Sequence, residues 1–130
     1  MVTQTNVPIE NFSIPAGSDQ DIYFTVATTQ PDDTLEGATV YWRVYEQEFG
    51  APVDGVAPVL EKSTESGHGI SILPSPPMTF RVSLLRADTL DLLRNYYHEA
   101  LLVDATTNKD PIVCGIMTVT PTENRLEGEI

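Results

Sequence analysis

The sequence has few of the side chains that most catalytic and metal sites use. Its 130 residues include one cysteine and two histidines, namely Cys114, His68 and His98. An internal disulfide is therefore excluded, and a zinc site, which needs three or four converging ligands, is not indicated. We predict that His68, which lies between two glycines, is an exposed turn residue and that His98 is a strand residue, partly buried or on the surface depending on register. Cys114 has apolar neighbours, and we expect a small buried residue rather than a nucleophile.

Basic residues are also scarce, with 7 Lys and Arg against 19 Asp and Glu, giving a net charge of −12. Phosphate binding needs a basic surface, so nucleic acid is not an expected partner. The acidic excess either keeps the protein in solution or complements a basic partner surface. No apolar run approaches the ~18 residues of a membrane span, and no secretory signal is expected at the start of the chain.

Motifs for catalysis and ligand binding are missing in the same way. The sequence contains no Gly-x-Ser-x-Gly, and Gly67-His68-Gly69 lacks the lysine of a phosphate loop. Asp19-Gln20-Asp21 has only the first part of a calcium-loop spacing, and Asp32-Asp33 has no such spacing at all. We therefore predict no catalytic, cofactor-binding or metal-binding residues, and a protein that is not an enzyme.

The clearest positive signal is the strand that carries the one tryptophan. After a tight turn at Glu36-Gly37, apolar and polar residues alternate over residues 38–45. The alternation places one set on an apolar face (Ala38, Val40, Trp42, Val44) and the other on the opposite face (Thr39, Tyr41, Arg43, Tyr45). A lone sheet cannot cover an indole ring, so a second layer must pack on this face.

Similar alternation predicts further strands over residues 21–26, 78–85, 96–104 and 112–120, the last two forming a hairpin. Shorter strands are expected at residues 12–14, 59–64 and 70–72, and a helical turn or two at residues 87–94. The predicted fold is all-β, an antiparallel immunoglobulin-like β-sandwich of 7–8 strands with one short helix before the penultimate strand. We assign residues 1–11 to a flexible N-terminal arm, 12–121 to the sandwich and 122–130 to an acidic tail.

Surface features are the remaining candidates for function. The arm 1–11 and the tail 122–130 are the first segments expected to contact neighbouring proteins, as ends that become ordered on docking, and the loop over residues 47–58 is the next. Residues 47–58 are rich in Gly and Pro and predict a weakly structured excursion with Phe49 near its tip. Phe49 is either an apolar anchor for a partner or packs back on its own sandwich. Tyr41, Tyr45 and Tyr97 would form a stacking platform if they share a face. A tyrosine of the Tyr96-Tyr97 pair is expected to fix a sandwich corner by bonding its hydroxyl to nearby backbone.

The order of motifs resembles a known group of proteins. The motifs run from Leu35-x-Gly37-Ala38-Thr39-Val40-x-Trp42 through Lys62-Ser63-Thr64, Gly69-Ile70, Phe80-x-Val82, Ala87-Asp88-Thr89 and Tyr96-Tyr97-His98-Glu99 to Gly115-Ile116-Met117-Thr118-Val119-Thr120-Pro121. This pattern, which covers about residues 12–121, resembles the small immunoglobulin-like structural proteins of tailed bacteriophages. It is also similar to the N-terminal domain of phage baseplate upper proteins.

The resemblance implies a virion component, assembled in the host cytoplasm, that acts by binding other virion proteins in many copies. A capsid decoration or cement role is favoured, with the major capsid protein as partner. A tail, baseplate, connector or fibre-base subunit is the first alternative, with tail or baseplate proteins as partners. A carbohydrate- or host-receptor-binding module is the second. The oligomeric state stays open, a homo-oligomer included, and no membrane partner is expected.

Overall fold

The computed structural model describes residues 9–26, 35, 37–73, 78–92, 94–103 and 109–121. Over these residues the chain forms nine strands and one helix. In chain order they are β1 (Phe12–Pro15), β2 (Gln20–Thr25), β3 (Thr39–Glu48), β4 (Ala51–Pro52), β5 (Leu60–Ser63), β6 (Ile70–Leu73), β7 (Thr79–Leu84), α1 (Arg86–Thr89), β8 (Asn95–Val103) and β9 (Lys109–Thr120).

The strands form two sheets that pack face to face, as an immunoglobulin-like sandwich does. The large sheet has six strands in the order β1-β9-β8-β3-β4, with β5 also paired to β3. The small sheet has three strands in the order β2-β7-β6. The all-β sandwich prediction is confirmed, and the short helix precedes β8 as expected.

The core between the sheets is built from the alternating positions that the sequence indicates. In β3, Val40, Trp42 and Val44 have no exposed surface, and the same is true of Phe80 and Val82 in β7. Phe24 from β2 lies between the layers, with its ring centroid 5.3 Å from that of Phe80 and 6.5 Å from that of Trp42. Removing such a buried aromatic side chain costs about 3–5 kcal/mol, so this contact between layers is a main source of stability.

The helix is shorter than the sequence predicts, ending at Thr89 rather than near residue 94. Its start is capped by two carboxylates, since Asp88 Oδ2 accepts the Leu85 N–H (2.7 Å) and Asp19 Oδ1 accepts the Arg86 N–H (2.8 Å). Thr89 is buried, and its Oγ1 accepts the Gly17 N–H at 3.0 Å. The last helical residue is thus bonded to the β1–β2 turn.

A half-buried ion pair joins the large sheet to this helix. Lys62 Nζ of β5 lies 2.7 Å from Asp88 Oδ2, with side-chain exposures of 13% and 19%. Because solvent screens such a pair less than an exposed one, it fixes the helix over the sandwich edge more effectively than a surface pair would.

The N-terminal segment lies along β9, and this differs from a purely antiparallel sandwich. β1 pairs with β9 in parallel, with Phe12 opposite Met117 and Pro15 opposite Thr120. Just before β1, the Glu10 N–H donates to the Cys114 carbonyl (2.8 Å) and Asn11 Oδ1 accepts the Ile116 N–H (2.9 Å). Residues 9–11 of the predicted arm therefore contact β9. Residues 1–8, and the tail assigned to 122–130, lie outside the described residues.

Gly115 makes this close approach sterically allowed. A Cβ atom at this position would lie 2.3 Å from the Glu10 carbonyl oxygen and 2.9 Å from Asn11 Oδ1. Since no real Cβ tolerates such a distance, any other residue here must displace the N-terminal segment.

We predict that Gly115→Ala lowers the free energy of unfolding by about 1–3 kcal/mol, because the added methyl group overpacks against the backbone of Glu10. Thermal denaturation measures this loss, and hydrogen exchange locates it as faster exchange in residues 9–15. Gly67→Ala is the control, since its positive φ of 79° makes alanine unfavourable but open space surrounds it. Unchanged exchange of residues 9–15 in Gly115→Ala would contradict the prediction.

Candidate functional site

The buried polar side chains all serve the fold. Among the residues that the structure describes, four polar ones are buried, namely Ser63, Thr79, Thr89 and His98. Thr79 Oγ1 lies 2.9 Å from Thr25 Oγ1 across the β2–β7 pair, and Ser63 Oγ accepts the Glu65 N–H at 3.3 Å. Thr89 bonds to the β1–β2 turn as described above. These groups therefore hold strands and turns in place.

His98 lies at the centre of the core and has no exposed surface. Its Nδ1 accepts the Trp42 Nε1–H at 3.2 Å, so the ring proton is on Nε2, which donates to the Glu10 carbonyl at 2.6 Å. The rings of Phe12 and Phe24 pack on it, with centroids at 4.9 and 5.7 Å. The strand placement predicted for His98 is correct, but the side chain is fully buried rather than partly buried or on the surface. Its bonds link the N-terminal segment to β3.

Burial lowers the pKa of His98 below its ordinary value, and the bond to the Glu10 carbonyl opposes this only partly. The imidazole is therefore held neutral, as its two hydrogen bonds require. Protonation would place an N–H against the Trp42 N–H and leave a buried charge among aromatic rings.

The other predicted candidates are placed as follows. His68 is exposed in its turn, as predicted, with Nδ1 3.7 Å from Glu65 Oε2. Asp19 caps the helix and Asp21 is exposed on β2. Asp32 and Asp33 lie outside the described residues. No group of three His, Cys, Asp or Glu that would hold a metal ion occurs within the described ranges.

The expectation for Cys114 is wrong. Cys114 is only partly buried, and its pairing opposite Glu99 places it on the outer face of the large sheet. Apolar neighbours do not indicate burial in a strand, because alternate residues face opposite sides. Tyr96 is buried, and its ring centroid lies 5.7 Å from the Arg94 guanidinium carbon. The corner bond of the Tyr96-Tyr97 pair stays a prediction.

The three tyrosines of the predicted platform do share one face, the outer face of the large sheet. Tyr45 lies directly opposite Tyr97 in the β3–β8 pair, and Tyr41 is two pleats further along β3. All three are partly buried. Between them the Arg43 guanidinium lies 5.2 Å over the Tyr41 ring and pairs with Glu61.

Tyr97 is held in its neutral form on this face. Burial is the main reason that its pKa is raised, and the neighbouring Glu99 carboxylate, 3.4 Å from the hydroxyl, adds to the effect. The hydroxyl is therefore a hydrogen-bond donor at every physiological pH, and the face combines aromatic rings with polar edges.

The most exposed apolar residue lies at the tip of the β3–β4 hairpin. Strand β3 continues past the predicted end to Glu48, turns through Phe49 and Gly50, and pairs Glu48 with Ala51 and Gln47 with Pro52. Both turn residues have positive φ, 55° and 81°, as in a type I′ turn. The Phe49 side chain is 98% exposed. Of the two readings open from the sequence, packing back on the sandwich is thus excluded.

Residues 53–59 return the chain to β3 and add to the apolar surface. The Val53 N–H donates to the Glu46 carbonyl (3.0 Å) and the Val59 N–H to the Val44 carbonyl (2.7 Å), so both ends of this return are fixed on β3. Val56 and Val59 are 40% and 39% exposed. We call residues 47–59 the docking hairpin.

Charges around the docking hairpin are acidic. Residues 44–60 contain Glu46, Glu48 and Asp54 and neither Lys nor Arg. Arg94 Nη2 donates to Glu46 Oε1 at 2.9 Å from the neighbouring β8 side, which leaves Glu48, next to Phe49, and Asp54, in the return segment, as exposed carboxylates. The docking hairpin therefore has an exposed aromatic ring and one carboxylate at its tip, and two partly exposed valines and a second carboxylate in its return segment.

In comparisons with known proteins, no family model and no curated protein matches this chain. The described residues contain no helix with the length and hydrophobicity needed to cross a bilayer.

The buried histidine predicts how stability depends on pH. The folded-state pKa of His98 is below its ordinary value of 6.5. The contribution of neutral His98 to the free energy of unfolding is therefore complete above about pH 6.5 and is lost as pH falls through the folded-state pKa. The slope of the free energy of unfolding against pH approaches about 1.4 kcal/mol per pH unit for one proton.

Urea unfolding between pH 7.5 and 5 measures this slope. His98→Gln should flatten it, because the titrating group is gone, whereas His68→Asn should leave it as in the parent chain. An equal slope in the parent chain and in His98→Gln would show that another group controls the loss of stability at acid pH.

Proposed function

We propose that the protein is a non-enzymatic structural component of a tailed-phage virion, a capsid decoration protein that binds its neighbours through the docking hairpin. The observation that carries this proposal is the exposure of Phe49 at 98% at the tip of the docking hairpin. An exposed aromatic side chain that has no role in the core is suited to act as an anchor for a partner protein.

The use of the buried polar groups supports a binding role rather than catalysis. His98, Thr79, Thr89 and Ser63 bond to backbone or to neighbouring side chains of the fold. Catalysis needs polar groups that converge on a substrate-sized space. Here the same groups stiffen a scaffold, which suits a module that presents a surface.

Attachment in many copies would make a small interface sufficient. One hairpin buries a modest area, and a single contact of that size is weak. When many copies dock on a regular shell and touch each other, avidity makes the layer stable without tight individual contacts. The decoration role follows from this logic and from the resemblance to small phage structural proteins.

A tail, baseplate, connector or fibre-base role uses the same hairpin chemistry at another position of the particle, and copy number separates this role from capsid decoration.

A carbohydrate- or receptor-binding role is favoured by one specific observation, the coincidence of Tyr41, Tyr45 and Tyr97 on one sheet face. Arg43 already lies over the Tyr41 ring, which leaves Tyr45 and Tyr97 for stacking.

We expect purified particles of the phage that encodes this chain to contain it in on the order of hundreds of copies, following the symmetry of the shell. Quantitative mass spectrometry measures the number. Shells made without the protein should lose resistance to heat or osmotic shock. A small multiple of six copies would place the protein in the tail, and its absence from particles would refute the proposal.

For the carbohydrate alternative, a glycan array probed with the parent protein and with Tyr97→Ala is the direct measurement. Binding that Tyr97→Ala reduces about tenfold would favour this alternative, since one stacking contact contributes roughly that much. No signal on the array would remove it.

A further inference from the structure

Phe49 occupies a backbone conformation that its own residue type disfavours. Its φ is 55°, in the left-handed region where a side chain with a Cβ atom is strained. The preferred pair for such a two-residue turn is Asn-Gly, because Asn tolerates positive φ. Phe49 is therefore less suited to this turn than Asn would be.

Comparison with the other strained residue shows why this matters. Among the described residues, Met78 is the second non-glycine residue with positive φ (64°), and its side chain is 6% exposed within the core. Burial of the Met78 side chain offsets its strain. Phe49 has no such compensation, since nearly all of its surface is in water. A strained residue without folding benefit points to a role outside the fold.

The turn holds the backbone of Phe49 in a defined position. Gln47 Oε1 accepts the Gly50 N–H at 2.8 Å, and the paired residues Glu48 and Ala51 close the hairpin. The same strand contains Trp42 and Val44, which are fully buried, so the tip extends from a strand fixed in the core. A backbone that is ordered before binding loses little conformational entropy when the complex forms.

The surrounding charges restrict the kind of partner. Glu48 is exposed next to Phe49, Asp54 is exposed in the return segment of the hairpin, and no Lys or Arg lies in residues 44–60. An anionic lipid surface would repel these carboxylates. A protein pocket that is apolar at its centre and carries Lys or Arg at its rim complements both the ring and the charges.

We propose that Phe49 is a preorganised knob that enters an apolar, cation-rimmed pocket on the virion protein to which this chain docks, and that it is retained at the expense of the chain's own stability. This inference rests on the proposed function and adds the partner's chemistry. One substitution is therefore expected to have two opposite effects. Phe49→Asn relieves the backbone strain of the turn, which raises stability, and removes the apolar side chain, which weakens binding.

The experiment compares four proteins: the parent chain, Phe49→Asn, Phe49→Leu and Tyr23→Thr. Tyr23 is the matched control, an aromatic residue 58% exposed on β2 of the small sheet. The probe is purified shells of the encoding phage assembled without this protein. Phe49→Asn should raise Tm by about 2–4 °C and weaken shell binding at least about tenfold. Phe49→Leu should retain part of the binding, and Tyr23→Thr all of it.

The charge requirement is tested on the same shells with Glu48→Gln/Asp54→Asn. This variant should bind more weakly at low salt and with a smaller salt dependence than the parent chain. Sedimentation with vesicles of three parts phosphatidylcholine to one part phosphatidylglycerol tests the lipid alternative, and no binding is expected.

The outcomes separate the inference from the proposed function. Parent-like shell binding by Phe49→Asn overturns the knob while leaving the decoration role intact. A Tm of Phe49→Asn that does not exceed that of the parent chain overturns the claim that Phe49 is retained at the expense of the chain's own stability. An unchanged salt dependence in the charge variant, or vesicle binding that requires Phe49, overturns the cation-rimmed protein pocket. Failure of the parent protein to bind any shell overturns the proposed function and this inference with it.

Discussion

The fold depends on a hydrogen-bonded path through its centre, from the Trp42 indole to the His98 imidazole and on to the Glu10 carbonyl. The first bond joins two neighbouring strands of the large sheet, and the second joins β8 to the N-terminal segment, where Gly115 of β9 leaves room for the backbone of Glu10 to approach. A buried polar group is costly without partners. The requirement to satisfy one imidazole therefore fixes the N-terminal segment, the tautomer and the position of the indole together.

Period-two alternation is the part of the sequence that specifies this fold most directly. It places Trp42, Phe80 and Val82 in the core, and the structure buries all three. The same rule identifies β8 and β9 as a hairpin, because two alternating runs flank a polar turn. Alternation also implies that the side of the sheet on which Cys114 lies depends on the strand register, and composition alone does not determine the register. Only the pairing with β8 shows that Cys114 lies opposite Glu99 and outward.

The docking hairpin and the contact of residues 9–11 with β9 could not be predicted for a different reason. Gly50, Pro52 and Gly55 are turn and loop formers by local preference, so the sequence indicated an unstructured excursion. The strand continues through this region because β3 is already fixed by its neighbours. Likewise, the steric need for Gly115 exists only once Glu10 crosses it. Phe49 stood out in the sequence as an apolar residue without a core role, but the positive φ that makes it informative is a property of the folded turn.

The parallel pairing of β1 with β9 has a practical consequence for attaching labels or cargo. Asn95 lies opposite Thr118, and Glu46 opposite Tyr96, so the chain leaves β9 at Pro121 on the end of the sheet that carries Phe49. The N-terminal segment instead joins the sheet at Cys114, roughly 20 Å earlier along the strand at about 3.3 Å per residue. A fluorophore or displayed peptide fused before residue 9 would therefore start well away from the hairpin, whereas one fused after residue 121 would start beside it.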